Sequence, residues 1–287
     1  MAVTENTILS TDLAPGISID FTSRISANIR SLMDILGITE LEPMASGNQI
    51  KLYTMSKTNT ASQVAEGEVI PLTKINRTVA KTIDLTLKKY RKNTTAEAIQ
   101  RVGRDLAVNA TDEKMISEIQ KDIKKSFYTA LATGTGTAEG TSLQVVLANL
   151  WAKLQTRYED MDVSPVYFIH PNDAAGYLGT AQISMQTAFG FTYIENFLGL
   201  GTAIITPAVT ENNPVATAKE NLNGVYIPAG GDVAQTFALT FDSTGLVGMT
   251  HQVQTSNASV DTLLFSGVAF FPEYIDGVFK GTITPTV

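Results

Sequence analysis

The composition of this chain of 287 residues limits the classes of protein to which it can belong. A hydrophobic content of 44% and a charged content of 17% are typical of a globular protein with a sizeable core, not of a disordered one. The sequence contains no cysteine, which excludes disulfides and thiolate chemistry. Its net charge of −7 argues against a protein that reads DNA sequence, because binding to the phosphate backbone needs clustered lysine and arginine.

The N-terminal region does not have the pattern of a secretory signal, so we expect none. Residues 1–17 lack a basic region followed by an apolar run, and they contain turn formers without periodicity, so we expect an extended arm. A helix is predicted next, capped by Ser18 or Asp20 and ended by Gly37. Its apolar residues fall at helical spacing: Phe21, Ile25, Ile29, Leu32 and Ile35. The longest apolar-rich stretch, residues 263–271, is too short to cross a bilayer, so we expect no membrane partner.

Residues 46–92 predict a long hairpin that has almost nothing to bury. Ile50–Tyr53 and Ile83–Lys88 alternate apolar and polar side chains, as half-buried strands do. The connection between them is long and polar, and such connections in compact domains are usually functional or disordered. An arm that cannot pack on its own domain needs a neighbour, so the pattern favours assembly over catalysis. The residues predicted to contact another subunit are Val64, Glu66, Gly67, Glu68, Val69 and Ile70, where a glutamate is expected to meet a lysine or arginine of that neighbour.

Residues 94–132 are predicted to be mostly helical. Thr111 or Asn109 is expected to cap the long helix, with Asp112 and Glu113 in its first turn, where acidic side chains suit the helix dipole. The charged residues off the apolar stripe are most simply a solvated face. The stripe itself is predicted to pack on late strands of the same subunit and consists of Ile116, Ile119, Ile123 and Phe127.

The second half of the chain predicts helices first and short strands later. Residues 134–137 break the chain, and an amphipathic helix starts near Thr141, with Trp151 on its apolar stripe and therefore in the core. A strand at 166–169 leads through a turn into a short helix that ends at Leu178. Short β runs follow at 202–206, 224–228, 235–241, 246–254, 260–271 and 275–283. The resulting fold class is α+β, with helices concentrated early and strands late.

No arrangement of residues points to catalysis, a cofactor or a metal. His170 and His251 stand far apart and match no ligand spacing, and the sequence lacks a nucleophile elbow and a phosphate-binding loop. Residues 134–136 contain two glycines but follow a helix, which is the wrong context for a dinucleotide site. Asp160 and Asp162 lack the ligand density of a calcium site. We therefore expect a protein that is not an enzyme and has no cofactor.

Three short segments and the order of the predicted elements resemble one protein family. The segments are Ala130–Gly136 at the end of the long helix, Val166–Asp173, and Val268–Phe271 followed by Ile275–Gly281. With the early helix, the hairpin and the long helix, they resemble the major capsid proteins of tailed bacteriophages, the Hong Kong 97 type. The resemblance covers roughly residues 17–283. No single motif is specific to the family, and the resemblance depends on the order of all the elements.

The resemblance implies a Hong Kong 97-like capsid fold with an N-terminal arm (1–17), a peripheral-domain helix and lead-in (18–45) and an extended E-loop hairpin (46–92). It also implies a peripheral domain with a spine helix (93–135), an axial domain (136–256) and returning peripheral strands (257–287). The implied function is self-assembly, as hexamers and pentamers, into an icosahedral shell around double-stranded DNA, without sequence-specific DNA binding. The implied location is the virion, after synthesis in the bacterial cytoplasm. The implied partners include a portal, with a decoration protein as an open option.

Two departures from the family change these expectations. Only about 17 residues precede the first predicted helix, so we expect scaffolding, if it is needed, from a separate protein. In some relatives an E-loop lysine and a peripheral asparagine form an isopeptide bond, with a glutamate on the late strand as the base. Here Lys57 or Lys74 could pair with Asn257. The late strand, however, contains no glutamate: its only carboxylate is Asp261 at its start, and Phe265 lies near the position of the base. A phenyl ring cannot remove a proton, so a non-covalent shell is predicted.

Two other functions stay open at this point. An encapsulin-like nanocompartment shell shares the fold and differs in enclosing cargo enzymes through inward-facing apolar grooves, which the sequence does not identify. A small-molecule enzyme with a dispersed site is the remote alternative, and it requires convergent polar groups in a concave pocket.

Overall fold

The computed structural model describes residues 29–38, 41–58, 64, 66–70, 72, 74–159, 162–178, 185–188, 191–241 and 245–284. The predicted arm at 1–17, the predicted cap of the first helix and Asp160 lie outside the described residues. So does the first part of the predicted early helix, of which residues 29–36 are described and helical. No helix among the described residues is long and apolar enough to span a membrane.

Helices and strands are both present, as the sequence predicts. The helices are α1 (29–36), α2 (Ala96–Val102), α3 (Ala110–Leu131), α4 (Leu143–Arg157), α5 (Pro171–Leu178) and α6 (Asp232–Phe237), with a π-helix at Asp105–Asn109. The first eight strands are β1 (Glu42–Pro43), β2 (Gln49–Thr58), β3 (Lys74–Asp84), β4 (Lys88–Thr95), β5 (Gly136–Gly140), β6 (Pro165–Ile169), β7 (Gln186–Ala188) and β8 (Phe191–Phe197). The later strands are β9 (Gly201–Ile205), β10 (Val215–Ala218), β11 (Leu222–Tyr226), β12 (Thr240–Phe241), β13 (Val247–Gln254), β14 (Ser259–Ser266), β15 (Ala269–Pro272) and β16 (Phe279–Ile283).

The chain divides into two compact units, each built from three separate segments. The first unit holds Met1–Asn48, Leu85–Phe127 and Gly224–Phe270, and the second unit holds Gln49–Asp84, Tyr128–Asn223 and Phe271–Val287. This division differs from the predicted segments, because residues 224–256 group with the long helix and not with 136–223. Strand pairing gives the reason: β13 pairs along its length with β14, which pairs in turn with β4.

A seven-stranded sheet forms the centre of the second unit, in the order β5-β16-β10-β6-β9-β8-β7. The sheet is mixed, since β6 pairs in parallel with β9 and antiparallel with β10. All five residues of β6 are buried, as expected for a strand in the middle of a covered sheet. Helix α4 packs into the same core through Leu143, Val146, Leu147, Leu150 and Leu154.

Trp151 is not a core residue, and the prediction was wrong on this point. Its side chain is 40% exposed, while Leu147, Leu150 and Leu154 on the same helix are buried. At about 100° per residue, Trp151 lies roughly 80° from the centre of the buried stripe, at its edge. By helical periodicity alone, a residue at the edge of the stripe counts as part of it. Only the packing around the helix shows that Trp151 faces solvent.

The first unit combines α3 with a sheet in the order β12-β13-β14-β4. The ring of Phe127 packs edge-on against Phe270 of β15, with 6.3 Å between the ring centroids. Strand β4 also reaches the helix, because the Tyr90 hydroxyl donates to the Asp122 carboxylate at 2.6 Å. The apolar stripe of α3 is buried, with exposed fractions of at most 8%, at Ile116, Ile119, Ile123 and Phe127.

Helix α3 starts differently from the prediction. The π-helix runs directly into α3, so the chain is already helical at Asn109 and Thr111. The Thr111 hydroxyl donates to the carbonyl oxygens of Ala107 and Val108, at 2.8 and 2.9 Å, and thus does not act as a cap that accepts from backbone N–H groups. It satisfies carbonyl groups in an irregular turn, where the π-type spacing weakens the normal helical pattern.

Strands β2 and β3 form a two-stranded antiparallel ribbon, paired from Gln49–Asp84 at one end to Thr58–Lys74 at the other. The ribbon is shorter than the predicted hairpin of residues 46–92, because Leu85 turns inward and is only 3% exposed. The Leu85 amide donates to the Asn48 carbonyl oxygen at 2.9 Å, which closes the ribbon. The chain then enters β4, which belongs to the sheet of the first unit.

Other short elements also differ from the prediction. Residues 232–237 form α6, so part of the predicted strand at 235–241 is helical, and only its end is a strand, β12. Strand β5 follows the predicted break and pairs in parallel with β16, and β10 lies between β16 and β6. With five and four residues, β5 and β10 are too short to show a period, and their partners are distant in sequence.

The burial of α3 gives a test of its packing. Ile119→Asp places a carboxylate at a position with 0% exposure, and an unpaired buried charge costs several kcal/mol, so we expect insoluble or strongly destabilised protein. Ala110→Asp is the control, because it puts the same group at an exposed position of the same helix and should change the free energy of unfolding by less than about 0.5 kcal/mol. Soluble yield and thermal unfolding measure both variants. Equal melting temperatures would contradict the packing of α3.

Candidate functional site: the hairpin arm and its root

The arm, residues 49–84, buries side chains mainly near the end where it joins its unit. Ile50 and Leu52 are 4% and 0% exposed, whereas nine of the eleven residues of β3 are exposed. The pairing register shifts between Leu52 and Tyr53, and such bulges bend and twist a ribbon locally. A two-stranded ribbon is marginally stable by itself in water, so the arm depends on contacts at this end.

The tip of the arm exposes apolar side chains that globular proteins normally bury. The exposed fractions are 91% for Val69, 73% for Ile70 and 91% for Leu72. At Gly67 the backbone φ is +88°, a left-handed conformation that glycine adopts without strain, so the tip turns there. Further exposed apolar residues follow along the ribbon at Met55, Ile75 and Val79. A group of exposed apolar side chains of this kind marks an interaction surface.

The arm is basic although the chain is acidic. Residues 49–84 contain five lysine or arginine and three acidic residues, a net charge of +2 in a chain of −7. The arm and the remaining chain thus carry net charges of opposite sign, an arrangement that attracts oppositely charged surfaces. The basic residues all lie on the two strands and are Lys51, Lys57, Lys74, Arg77 and Lys81.

The root of the arm is a cluster around Arg77, formed with Tyr53, Asn223, Glu273 and Tyr274. The Arg77 guanidinium lies 2.6 Å from the Glu273 carboxylate, and its central carbon lies 3.6 Å from the centroid of the Tyr53 ring. The Tyr53 amide donates to the Glu273 carbonyl oxygen at 2.8 Å, so the backbone takes part as well. The second carboxylate oxygen of Glu273 accepts from the Asn223 side-chain amide at 3.1 Å. These contacts attach the arm to residues 273–274 of its own unit.

A buried asparagine supports the root from behind. Asn221 is 2% exposed, and its side-chain amide donates to the Thr217 hydroxyl at 3.1 Å and to the Tyr274 carbonyl oxygen at 2.9 Å. Its side-chain carbonyl oxygen accepts from the Tyr274 amide at 2.9 Å, so both polar groups of the side chain are used. Burial raises the pKa of Tyr274, and the hydrogen bond with Glu273 raises it further. The Tyr274 hydroxyl therefore stays protonated at neutral pH.

A buried ion cluster in the first unit explains the position of His251. The Asp112 carboxylate is 0% exposed and contacts the Lys92 ammonium group and, at 2.8 Å, Nε2 of His251. Lys92 also donates to the Val108 carbonyl oxygen at 2.8 Å and to the Thr111 hydroxyl at 2.5 Å. The prediction related Asp112 to the helix dipole, but a carboxylate this deeply buried needs paired charges and hydrogen bonds, which the cluster provides.

The described residues show no metal-binding arrangement. Among them, no group of three or more histidine, aspartate or glutamate side chains could hold an ion. The second histidine, His170, accepts a hydrogen bond at Nδ1 from the Asn172 amide at 3.2 Å, at the start of α5. Both histidines thus have contacts that serve the local fold.

Strand β14 offers a poorly suited base for isopeptide formation. Hydrogen bonds from Asn93 and Arg91 lower the pKa of the Asp261 carboxyl, and a carboxylate with a lowered pKa is a weak base. Phe265 is 3% exposed and belongs to an apolar cluster with Ala234 and Leu239, so this position of β14 holds an apolar side chain and not a proton acceptor.

The structure brings the predicted tip residues together and adds a root that the sequence did not reveal. Arg77 and Glu273 stand 196 positions apart, so no local pattern links them. The available signal is that Glu273 and Tyr274 lie between the two late segments that carry the family resemblance. Of the predicted tip residues, Val64 is half-buried and five are exposed, namely Glu66, Gly67, Glu68, Val69 and Ile70.

Comparison with known proteins identifies the fold. No family model matches the chain, and no curated protein matches it in sequence. A structure from Gordonia phage Cozz has a TM-score of 0.52 at 12% identity, covering 88% of this chain and 86% of that chain. The capsid of an empty GTA particle has a TM-score of 0.51 at 10% identity, covering 85% and 87%. A structure from Mycobacterium phage Patience has a TM-score of 0.51 at 9% identity, covering 100% and 92%.

At sequence identities of 9–12%, the similarity to these structures shows a common fold and nothing more. The chain has the fold of phage capsid proteins, which confirms the resemblance drawn from the sequence. The mixture of helices and sheets predicted as α+β agrees with these structures.

The root gives a test that needs only the single chain. Arg77→Ala removes an exposed ion pair, worth up to about 1 kcal/mol, and a stacking contact worth about 0.5–1 kcal/mol. We therefore expect the Tyr53 amide to exchange its hydrogen about three- to tenfold faster, because its bond to Glu273 opens more often. Arg77→Lys is the matched control, since it keeps the charge and loses the planar stacking, and should give an intermediate rate. Unchanged exchange in Arg77→Ala would show that the root does not depend on Arg77.

Proposed function

We propose that this chain is the major capsid protein of a tailed bacteriophage, which assembles with copies of itself into an icosahedral shell around double-stranded DNA. The observation that carries the proposal is the arm, because its tip exposes Val69, Ile70 and Leu72 in a chain with the fold of phage capsid proteins. A shell subunit is thin and interlocks with its neighbours, so it needs apolar surface that stays exposed until assembly.

The proposal extends to the parts of a Hong Kong 97-like subunit. The arm is then the E-loop, and α3, with 22 residues, is the spine helix. The four-stranded sheet with α3 corresponds to the peripheral domain, and the seven-stranded sheet with α4 corresponds to the axial domain. The order of the elements along the chain supports the assignment of the arm and of α3. Strand pairing supports the assignment of the two sheets, because β12 and β13 join β14 and β4, whereas β16 joins β5 and β10.

The energetics of the arm suit a shell built from many weak contacts. Full burial of one aliphatic side chain of the tip contributes about 1.5–3 kcal/mol through the hydrophobic effect. The loss of rotational and translational freedom on association offsets much of this gain, so one arm contact is weak. A closed shell repeats the contact in every subunit, and the combined affinity becomes large through multivalency.

The acidic character of the chain suits a shell that encloses DNA without binding it tightly. A net charge of −7 leaves no excess of lysine and arginine with which to neutralise phosphates. We accordingly place the protein in the virion after synthesis in the bacterial cytoplasm. Its proposed partners are copies of itself in hexamers and pentamers, a portal, a separate scaffolding protein and, where present, a decoration protein.

Deletion of residues 58–72 tests the assembly role of the arm. The deletion removes the exposed tip and retains most of both strands, so we expect a soluble, folded subunit that forms no closed particles in negative-stain electron microscopy. The triple variant Val69→Ser, Ile70→Ser and Leu72→Ser keeps the length of the arm and should also reduce particle yield, because the apolar contact is lost. Thr82→Ser, on an exposed strand position away from the tip, is the control that should still form particles.

The outcomes of this experiment separate the possible functions. Closed particles from the deletion variant would contradict the assembly role of the arm. Particles purified from the native host are expected to hold nuclease-protected double-stranded DNA, whereas particles that hold enzyme cargo and no DNA would favour a nanocompartment.

The proposed shell is held together without covalent cross-links. Asp261, with its lowered pKa, and the buried Phe265 leave β14 without a suitable base for an isopeptide reaction. Particles boiled and run on a denaturing gel are therefore expected to give one band near the monomer mass. A ladder of multimers that survives boiling would refute this part of the proposal.

A further inference from the structure

We propose that a cavity in the second unit receives the tip of the arm from a second copy of this chain, with Lys280 of one copy paired with Glu66 of the other. This inference rests on the proposed function and names the surface on which the arm docks. Two separate observations support the proposal. The cavity has apolar walls and a cation, and the tip has exposed apolar side chains next to an acidic one.

The cavity has a volume of about 350 Å³ and is lined by the last turn of α3, the loop before β10, β10 itself and β16. Leu131 and Val209 form apolar walls and are only 1% and 7% exposed. The ring of Tyr128 packs edge-on against Phe168, with 5.6 Å between the centroids, so this wall is fixed by the core. The loop is held as well, because the Asn213 amide donates to the carbonyl oxygen of Thr210 at 3.0 Å. The cavity is therefore preformed.

Lys280 of β16 gives the cavity its charge. Among the described residues that line the cavity, Lys280 alone is charged. Its ammonium group forms no ion pair within the part of the chain that the structure describes. A lysine in this position covers apolar surface with its alkyl chain and leaves its charged end for an anion. The cavity thus fits a ligand that is apolar on one side and acidic on the other.

The tip of the arm carries groups of this kind. Val69 and Ile70 are 91% and 73% exposed, and Glu66 is an exposed acidic residue three positions earlier. An apolar cavity of about 150 Å³ holds a benzene-sized group. A volume of about 350 Å³ therefore has room for two branched aliphatic side chains. Docking buries both of them and pairs one charge from each copy.

A second exposed apolar surface, in the first unit, fits the tip less well. Val233, Phe237 and Phe241 of α6 and β12 are 39%, 40% and 43% exposed. Asp232 stands in the first turn of α6, and the last turn of this helix has no basic residue. An acidic tip is repelled by Asp232, whereas Lys280 attracts it, so charge favours the cavity.

Disulfide trapping tests the docking directly, since the chain contains no cysteine of its own. The double variant Ile70→Cys with Thr210→Cys is assembled, oxidised and run on a non-reducing denaturing gel. We expect a ladder of multimers that a reducing agent removes, because docking brings the two thiols of neighbouring copies within disulfide reach. Ile70→Cys with Val233→Cys is the matched control for the competing surface and should remain monomeric on the gel.

A charge exchange gives a second, independent measurement. Lys280→Glu is expected to raise the subunit concentration needed for assembly about tenfold, because like charges then face each other, and adding Glu66→Lys should restore it. Normal assembly of Lys280→Glu would overturn the pairing. Two results of the disulfide experiment would overturn the docking and leave the proposed function intact. One is that the Ile70→Cys, Thr210→Cys variant forms particles but gives no ladder. The other is that the Ile70→Cys, Val233→Cys variant gives a ladder. The proposed function fails separately, if the unaltered chain forms no closed particles or its particles hold enzyme cargo and no DNA.

Discussion

The structure depends on one constraint: a two-stranded ribbon has no second layer on which to pack its apolar side chains. Domains are stable when two layers enclose a common core, and an isolated hairpin is marginal in water. In this chain the ribbon is buried at Ile50 and Leu52 near its root, and exposure reaches 91% at Val69 and Leu72. Burying that surface contributes about 25 cal/mol per Å², and the described part of the chain leaves it exposed. The proposed shell therefore needs a subunit that holds the arm in a defined direction and presents a face that fits it.

The root holds the arm in a defined direction, and it contributes more to the orientation of the arm than to the free energy of folding. The ion pair of Arg77 with Glu273 is 45% and 30% exposed, and a pair this exposed adds little free energy by itself. Stacking on Tyr53 and the backbone hydrogen bond to Glu273 act on the same few residues, so together they fix the start of the arm. An arm that is ordered before contact loses less conformational entropy on binding, which raises affinity without enlarging the interface.

The first unit uses buried polar groups to specify how its helix and sheet meet. Asp112 is fully buried between Lys92 and His251, which belong to two different strands of one sheet. Removing one partner leaves a charge in a low-dielectric environment, which costs more than the pair gains. The three residues therefore come together only when β4, α3 and β13 have the correct register. The apolar stripe of α3 is compatible with several registers, because apolar contacts are not directional.

The sequence by itself determined the elements whose signal is local and periodic. The alternation at Ile50–Tyr53 and the stripe from Ile116 to Phe127 predicted a strand and a helix that the structure contains, and their order predicted the capsid fold. The long polar connection also predicted an exposed tip. Only the tertiary structure decided which faces meet: that Trp151 is exposed, and that Arg77 reaches a glutamate 196 positions away. Periodicity shows which side of an element is apolar, whereas its partner depends on strand pairing and burial across the whole chain, which no short window of sequence contains.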